Sequence, residues 1–327
     1  MSDAILEIKD LHVQYNTDDA VVHALNGLNL TLEKGGVLGL VGETGAGKTT
    51  MALSILKLLP EKVGQVTKGT ITYNSLDILK ARKHQMMKLR GAKISMIFQD
   101  PMTSLNPIIT VGDQILEVLD LHFPDMDKNE KDQKVDEILG LVGIQAKRKD
   151  EFPHQFSGGM KQRIGIAMAL VAEPELLLAD EPTTALDVTI QAQILKLMKE
   201  LKDKFDTSMI LITHDLGVVA EFCENVAIVY SGEIIEKGTI EDVFTRDHNH
   251  PYTEGLFNSI PNLTCDTERL VPIPGFMADP TNLPAGCKFA ERCKYCMEEC
   301  KTHVPPSYAI GTHSIKCFLF SDMEGDK

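Results

Sequence analysis

A chain of 327 residues is long for one compact domain and suits a large domain with a smaller appendage. Its 43% hydrophobic and 24% charged residues exclude disorder as the main state, and a formal net charge of −14 argues against nucleic acid or anionic lipid as a partner of the whole molecule. The apolar runs, such as 164–172 and 176–179, fall far short of the roughly 20 residues that span a bilayer, so no segment is expected to cross a membrane. The first ten residues have neither a basic start before an apolar run nor a small-residue cleavage site, and the chain is expected to stay in the cytosol.

In chain order, Ile5-Leu6-Glu7-Ile8, Leu11-His12-Val13-Gln14-Tyr15 and Leu28-Asn29-Leu30-Thr31-Leu32 alternate with period two and predict half-buried strands. The continuous run Val37-Leu38-Gly39-Leu40-Val41 predicts a fully buried strand. A helix over 48–59, closed by Pro60, follows a glycine-rich loop. From about 101 to 155 the character changes, with Pro, Asp and Lys between helical patterns at 111–121 and 135–142, which predicts a helical insertion in an α/β core. The α/β pattern then returns with a helix from 157 to 172, a strand at 176–179, a helix at 190–205 and a strand at 209–213. This alternation indicates a mainly parallel sheet. Beyond Arg246, Pro and Gly increase and mark a loop-rich C-terminal module.

Gly42-Glu43-Thr44-Gly45-Ala46-Gly47-Lys48-Thr49 fits the G-x-x-x-x-G-K-[ST] phosphate loop, with the required buried strand before it and helix after it. Its glycines let backbone N–H groups converge on phosphate oxygens at a positive helix end. Lys48 supplies charge for the β and γ phosphates, and Thr49 a hydroxyl for Mg²⁺. Leu176-Leu177-Leu178-Ala179-Asp180-Glu181 is an apolar strand ending in two carboxylates, at the strand edge where ligands bind in such sheets. Asp180 suits Mg²⁺, directly or through water, and Glu181 suits proton abstraction from an attacking water. Between these motifs, Phe156-Ser157-Gly158-Gly159-Met160 opens a helix whose start is a second anion-binding site.

One nucleotide does not easily use both loops of one chain, and the combination resembles the ATP-binding cassette family over residues 5–245. The resemblance implies a P-loop NTPase cassette of α/β class with an antiparallel β subdomain, a helical subdomain at about 101–160, and an extension over 246–327. It implies that residues 42–50, Thr50 included, surround the nucleotide, that Tyr15 stacks on adenine, and that Gln99 senses Mg²⁺ and the attacking water. Likewise Ala185-Leu186-Asp187 faces an opposite subunit, and His214 contacts the γ-phosphate. Ser157, Gly158 and Gly159 of one subunit then close over ATP held by the P-loop of another. A plain strand tyrosine and a structural strand-end histidine are the alternatives for Tyr15 and His214. The signature departs from the commonest form in beginning with Phe and ending with Met, although its Ser-Gly-Gly is intact.

Further segments resemble the peptide and nickel uptake branch: His154-Gln155-Phe156 before the signature, Gln99-Asp100-Pro101 with Leu105-Asn106-Pro107, His250-Pro251-Tyr252-Thr253, and the tail from Ile273 to Cys317. That branch implies an ATPase on the cytoplasmic face of the cell membrane, peripheral through two membrane permease subunits. A second, different ATPase subunit and an extracytoplasmic peptide-binding protein complete it, with no nucleic acid. Di- or oligopeptides are the implied cargo, with nickel the alternative; a soluble cassette ATPase acting on ribosomes or DNA is the competing class.

Five of the seven cysteines crowd the tail, and in a reducing compartment such a cluster suits a metal better than disulfides. Cys287, Cys293, Cys300 and Cys317 form a set for a [4Fe–4S] cluster or for Zn²⁺. Resemblance to the branch favours iron–sulfur, with Cys296 a possible alternate ligand and free thiols the bland alternative. Cys223 and Cys265 stand apart as packing residues, and His248-Asn249-His250 reads as a loop.

Overall fold

A computed structural model describes residues 4–100, 104–184, 186–245, 248–260 and 272–323. Ala185, Cys265, Arg246 and the Pro101 segment, singled out above, lie outside the described residues. In chain order the elements are β1 (Ala4–Asn16), β2 (Val21–Glu33), β3 (Val37–Val41), α1 (Lys48–Ile55), β4 (Gly64–Tyr73), β5 (Leu76–Asp77), α2 (Lys83–Leu89) and β6 (Ile94–Ile97). The helical stretch holds α3 (Val111–His122) and α4 (Lys128–Leu141), followed by α5 (Gly158–Leu170), β7 (Leu176–Asp180), α6 (Val188–Phe205) and β8 (Ser208–Thr213). Then come α7 (Leu216–Phe222), β9 (Asn225–Tyr230), β10 (Glu233–Thr239), α8 (Ile240–Phe244), α9 (Pro251–Asn258), α10 (Glu298–Thr302), β11 (Tyr308–Ile310) and β12 (His313–Ile315).

These elements fall into two compact units. The first comprises Met1–Ile5, Leu32–Val37 and Lys80–Ile212. In it, β6, β7 and β8 run parallel in the order β8-β7-β6, with Ile94 opposite Leu176 and Leu176 opposite Ser208. Every residue of β7 and β8 is buried, as a parallel sheet covered on both faces requires. Three helices of this unit begin at side-chain caps. The Thr110 hydroxyl accepts the Asp113 N–H before α3, Asp127 accepts the Asn129 N–H before α4, and Asp187 accepts the Ile190 N–H before α6. The Asp127 cap, reinforced by Glu130, is why α4 starts at Lys128, seven residues ahead of the hydrophobic pattern.

The second unit comprises Leu6–Thr31, Leu38–Leu79 and Thr213–Lys327. It carries an antiparallel sheet in the order β2-β1-β4-β5, matching the expected β subdomain. The two apolar runs predicted as separate strands form the single β1, whose register shifts where Asp10 adopts φ 47°. In the same unit β3 pairs in parallel with β9, and β9, β10, β12 and β11 continue antiparallel. Helix α1 ends at Ile55 instead of Leu59 because Lys57 takes a left-handed conformation at φ 53°. The extension is not loops alone: β12 joins β10, and Tyr252, Phe257 and Phe289 are buried in one core with Val41, Val226, Ile228 and Tyr230. Glu236 of β10, fully buried, accepts from Asn249 Nδ2 at 2.8 Å and the His250 N–H at 2.9 Å, and lies 2.7 Å from His313 Nε2.

Candidate active site

The phosphate loop leaves the buried β3 and enters α1 through Gly47, at φ 101°. Two glycines are demanded by close backbone approach. A Cβ on Gly42 would stand 2.3 Å from the Val229 carbonyl oxygen, and one on Gly47 2.6 Å from that of Ala24. Gly47 brings no side-chain oxygen to the helix start, which suits an anion there. Lys48 is buried, and its ammonium donates to the Gly42 carbonyl at 2.6 Å and the Glu43 carbonyl at 3.0 Å. It is thereby held over the loop it is expected to serve. Tyr15 is half-buried in β1, its phenol 3.1 Å from the Thr50 hydroxyl, so two expected nucleotide-contacting residues stand together. His214 is exposed just after β8, immediately before Asp215, which caps α7 by accepting from the Gly217 and Val218 N–H groups.

In the other unit, β7 delivers Asp180 buried and Glu181 half-buried at the sheet's carboxyl edge. Glu181 sits at φ 44°, an uncommon conformation for a residue with a Cβ, and its N–H is tied to the Ile212 carbonyl at 2.8 Å. One carboxylate oxygen, Oε2, accepts from Gln99 Nε2 at 2.9 Å and from the Thr184 hydroxyl at 2.9 Å. The expected water sensor and the expected base are thus in direct contact. Thr184 has no signature of its own in the sequence; it shares the turn after Glu181, where its N–H also returns to the Glu181 carbonyl. Ser157 caps α5 without a side-chain hydrogen bond, Ser157 and Gly158 are exposed, and Arg148 lies over the Phe156 ring at 4.3 Å.

The four tail cysteines, Cys287, Cys293, Cys300 and Cys317, line one small cavity together with Phe289, while Cys296 is not among its lining residues. None of the described cysteines is in a disulfide. Burial pushes the Cys287 thiol up to about 11 and that of Cys317 up to about 12, and raises Cys293, so a metal would have to displace their protons. Among the described residues no group of three or more His, Cys, Asp or Glu is gathered closely enough to hold a metal ion. His250 is fully buried; its Nδ1 accepts the Tyr252 N–H at 3.0 Å, and burial lowers it to about 3. It caps α9, in keeping with the loop reading of the His248 segment. Cys223, half-buried, packs against Gly39, and desolvation pushes its thiol up to about 12. Tyr252, noted above only as part of the His250–Thr253 segment, and Arg292, which carries no signature of its own, reach the phosphate loop at Glu43.

The family model for ABC transporters matches residues 25–184, and that for the oligopeptide/dipeptide transporter C-terminal region matches residues 235–300. The oligopeptide transport ATP-binding protein OppD of Bacillus subtilis is 49% identical over 96% of this chain and 88% of its own length. The dipeptide transport ATP-binding protein DppD of the same organism is 48% identical over 96% and 94%, and the Escherichia coli OppD is 47% identical over 93% and 90%. Among solved structures, a dimeric ATP-binding cassette in its post-hydrolysis state, bound to ADP and phosphate, is similar at a TM-score of 0.65. It is 27% identical, and the match covers 72% of this chain and 98% of that one. Among the described residues no helix is long and apolar enough to cross a membrane.

Proposed function

Since the chain belongs to the ABC transporter family, we propose that it is the ATP-hydrolysing subunit of an importer of di- or oligopeptides. The observation that carries the catalytic part is the Gln99–Glu181 contact at the end of a buried strand, in a chain that also holds a complete phosphate loop. Lys48 would turn from its two loop carbonyls to the β and γ phosphates, exchanging bonds at little cost because both partners are accessible to one ammonium. Glu181, fixed by Gln99 and Thr184, orients the attacking water and takes its proton. Thr49 and Asp180 would each offer an oxygen to Mg²⁺, whose chemistry, when bound, is neutralisation of charge on the phosphates. His214 and Tyr15 complete the nucleotide's surroundings at the γ-phosphate and the adenine. The Ser157-Gly158-Gly159 start, exposed at Ser157 and Gly158, serves the ATP of a second cassette, so closure of the pair completes each site.

The cargo reading is supported by the relatives, which are named for oligopeptide and dipeptide transport, and the partners are those that the branch resemblance implies. The reading places this subunit on the cytoplasmic face of a membrane, bound to two permease subunits, with a different ATPase chain as its cassette partner and a peptide-binding protein on the far side. Co-purification of two membrane subunits and peptide-stimulated ATP hydrolysis in reconstituted vesicles test it; a basal rate indifferent to peptides and to permease would refute the transport role.

The tail is proposed to hold a [4Fe–4S] cluster through Cys287, Cys293, Cys300 and Cys317. In support, the four thiols line one cavity, and four cysteines are the donor set that such a cluster uses. Such a group would cross-link the segments between the cysteines. Anaerobic purification should yield iron and sulfide in near four-to-one ratio to protein; stoichiometric zinc without iron would overturn the assignment.

A further inference from the structure

Glu43, the second residue of the phosphate loop, is held at three points. Both carboxylate oxygens are taken by Arg292 in a forked pair, Nη1 to Oε2 at 2.9 Å and Nη2 to Oε1 at 3.0 Å. The Glu43 N–H donates to the phenolic oxygen of Tyr252 at 3.0 Å, and the Glu43 carbonyl accepts from Lys48 at 3.0 Å. Arg292 is itself fixed. Its side chain is only 6% exposed, its Nε donates to the Pro274 carbonyl at 2.9 Å, and its guanidinium lies 5.7 and 5.8 Å from the ring centres of Tyr230 and Phe289. Those rings and Tyr252 pack edge to face on one another. At the loop's tip, a methyl on Gly45 would come within 3.1 Å of Met277, another residue of the tail.

The three holds differ in what ATP would do to them. Lys48 must exchange its carbonyls for phosphate oxygens. Arg292 and Tyr252 carry nothing the chemistry consumes, so their bonds persist through the exchange. A forked guanidinium–carboxylate pair fixes angle as well as distance, which a lysine does not reproduce, and a loop held in its binding conformation gains affinity by losing less freedom on binding.

We propose that Arg292 and Tyr252 are positioning residues of the ATP site, through which the C-terminal extension fixes the Glu43 peptide and pre-forms the phosphate loop. This rests on the reading of residues 42–49 as the ATP loop. Glu43→Gln, Arg292→Lys and Tyr252→Phe would be made in the full-length chain, with ATP binding measured by calorimetry and kcat and KM measured in the assembled transporter. The expected result is ATP affinity weaker by about tenfold in Glu43→Gln and Arg292→Lys, the scale of a lost charge-assisted pair. KM should rise in parallel while kcat stays within about twofold, and the doubly substituted chain should be no worse than either single one. Tyr252→Phe should weaken binding by a few-fold. Unchanged affinity in Glu43→Gln would overturn the proposal, as would losses confined to Arg292→Lys and matched by a lower melting temperature. Wild-type chain that binds no more ATP than Lys48→Ala would instead sink the reading of the loop, and this inference with it.

Discussion

The two glycine-rich helix starts of this chain look alike in sequence and differ in what makes their glycines necessary. At the phosphate loop the demand is internal: a Cβ at Gly42 would run into the Val229 carbonyl oxygen, and Gly47 has a positive φ. At the signature start, a Cβ on Gly158 would meet nothing within 4 Å, and Ser157 makes no cap hydrogen bond with its side chain. The fold of this chain requires the first loop and is indifferent to Gly158. Gly159 beside it is packed within the chain, a Cβ there standing 2.8 Å from Ile190 Cγ2, so the contrast rests on Gly158, the position that the proposed composite site would leave for a second cassette.

Three substitutions probe the contrast. The largest effect belongs to Glu181→Gln, which alters neither loop. Steady-state hydrolysis should fall by about 10²- to 10⁴-fold while ATP still binds. The ATP-bound pair should accumulate, seen as ATP-dependent association of the two cassettes in size-exclusion chromatography, and undiminished turnover would remove Glu181 from its role. Gly42→Ala comes next, since backbone must move to admit the methyl. Calorimetry on the isolated subunit should show ATP affinity down by more than about tenfold, with stability lower by about 1–3 kcal/mol. The smallest effect on the isolated chain is that of Gly158→Ala. Its melting should change by no more than about 0.5 kcal/mol and its ATP binding not at all, whereas hydrolysis by the assembled transporter should drop. If the assembled rate is unaffected, the second loop does not close over a partner's nucleotide.

Much of this is legible in the amino-acid sequence. The order of motifs carried the cassette, and the period-two and continuous apolar runs carried β1, β2, β3, β7 and β8. Helix ends were less legible because they depend on caps and single-residue conformations, such as Asp127 before α4 and Lys57 after α1. Strands β9 and β10 and the tail strands escaped, since short segments gain their stability from pairing with distant neighbours. In the site, Lys48, Asp180 and Glu181 were identifiable by residue type in context. The bond from Arg292 to Glu43 spans 249 positions, and no local pattern announces it.

Glu236 has a consequence for the order of events during synthesis. Its carboxylate lies in β10, yet the groups that satisfy it come from Asn249, His250 and His313. A nascent chain that has emerged only as far as β10 carries an ion it cannot bury without penalty, since a buried charge lacking its partner is strongly destabilising. The strand therefore has reason to stay loosely docked until about the 313th residue has left the ribosome. Closure of this unit then waits on Asn249, His250 and His313, and a chain truncated before them would leave the Glu236 carboxylate without these partners.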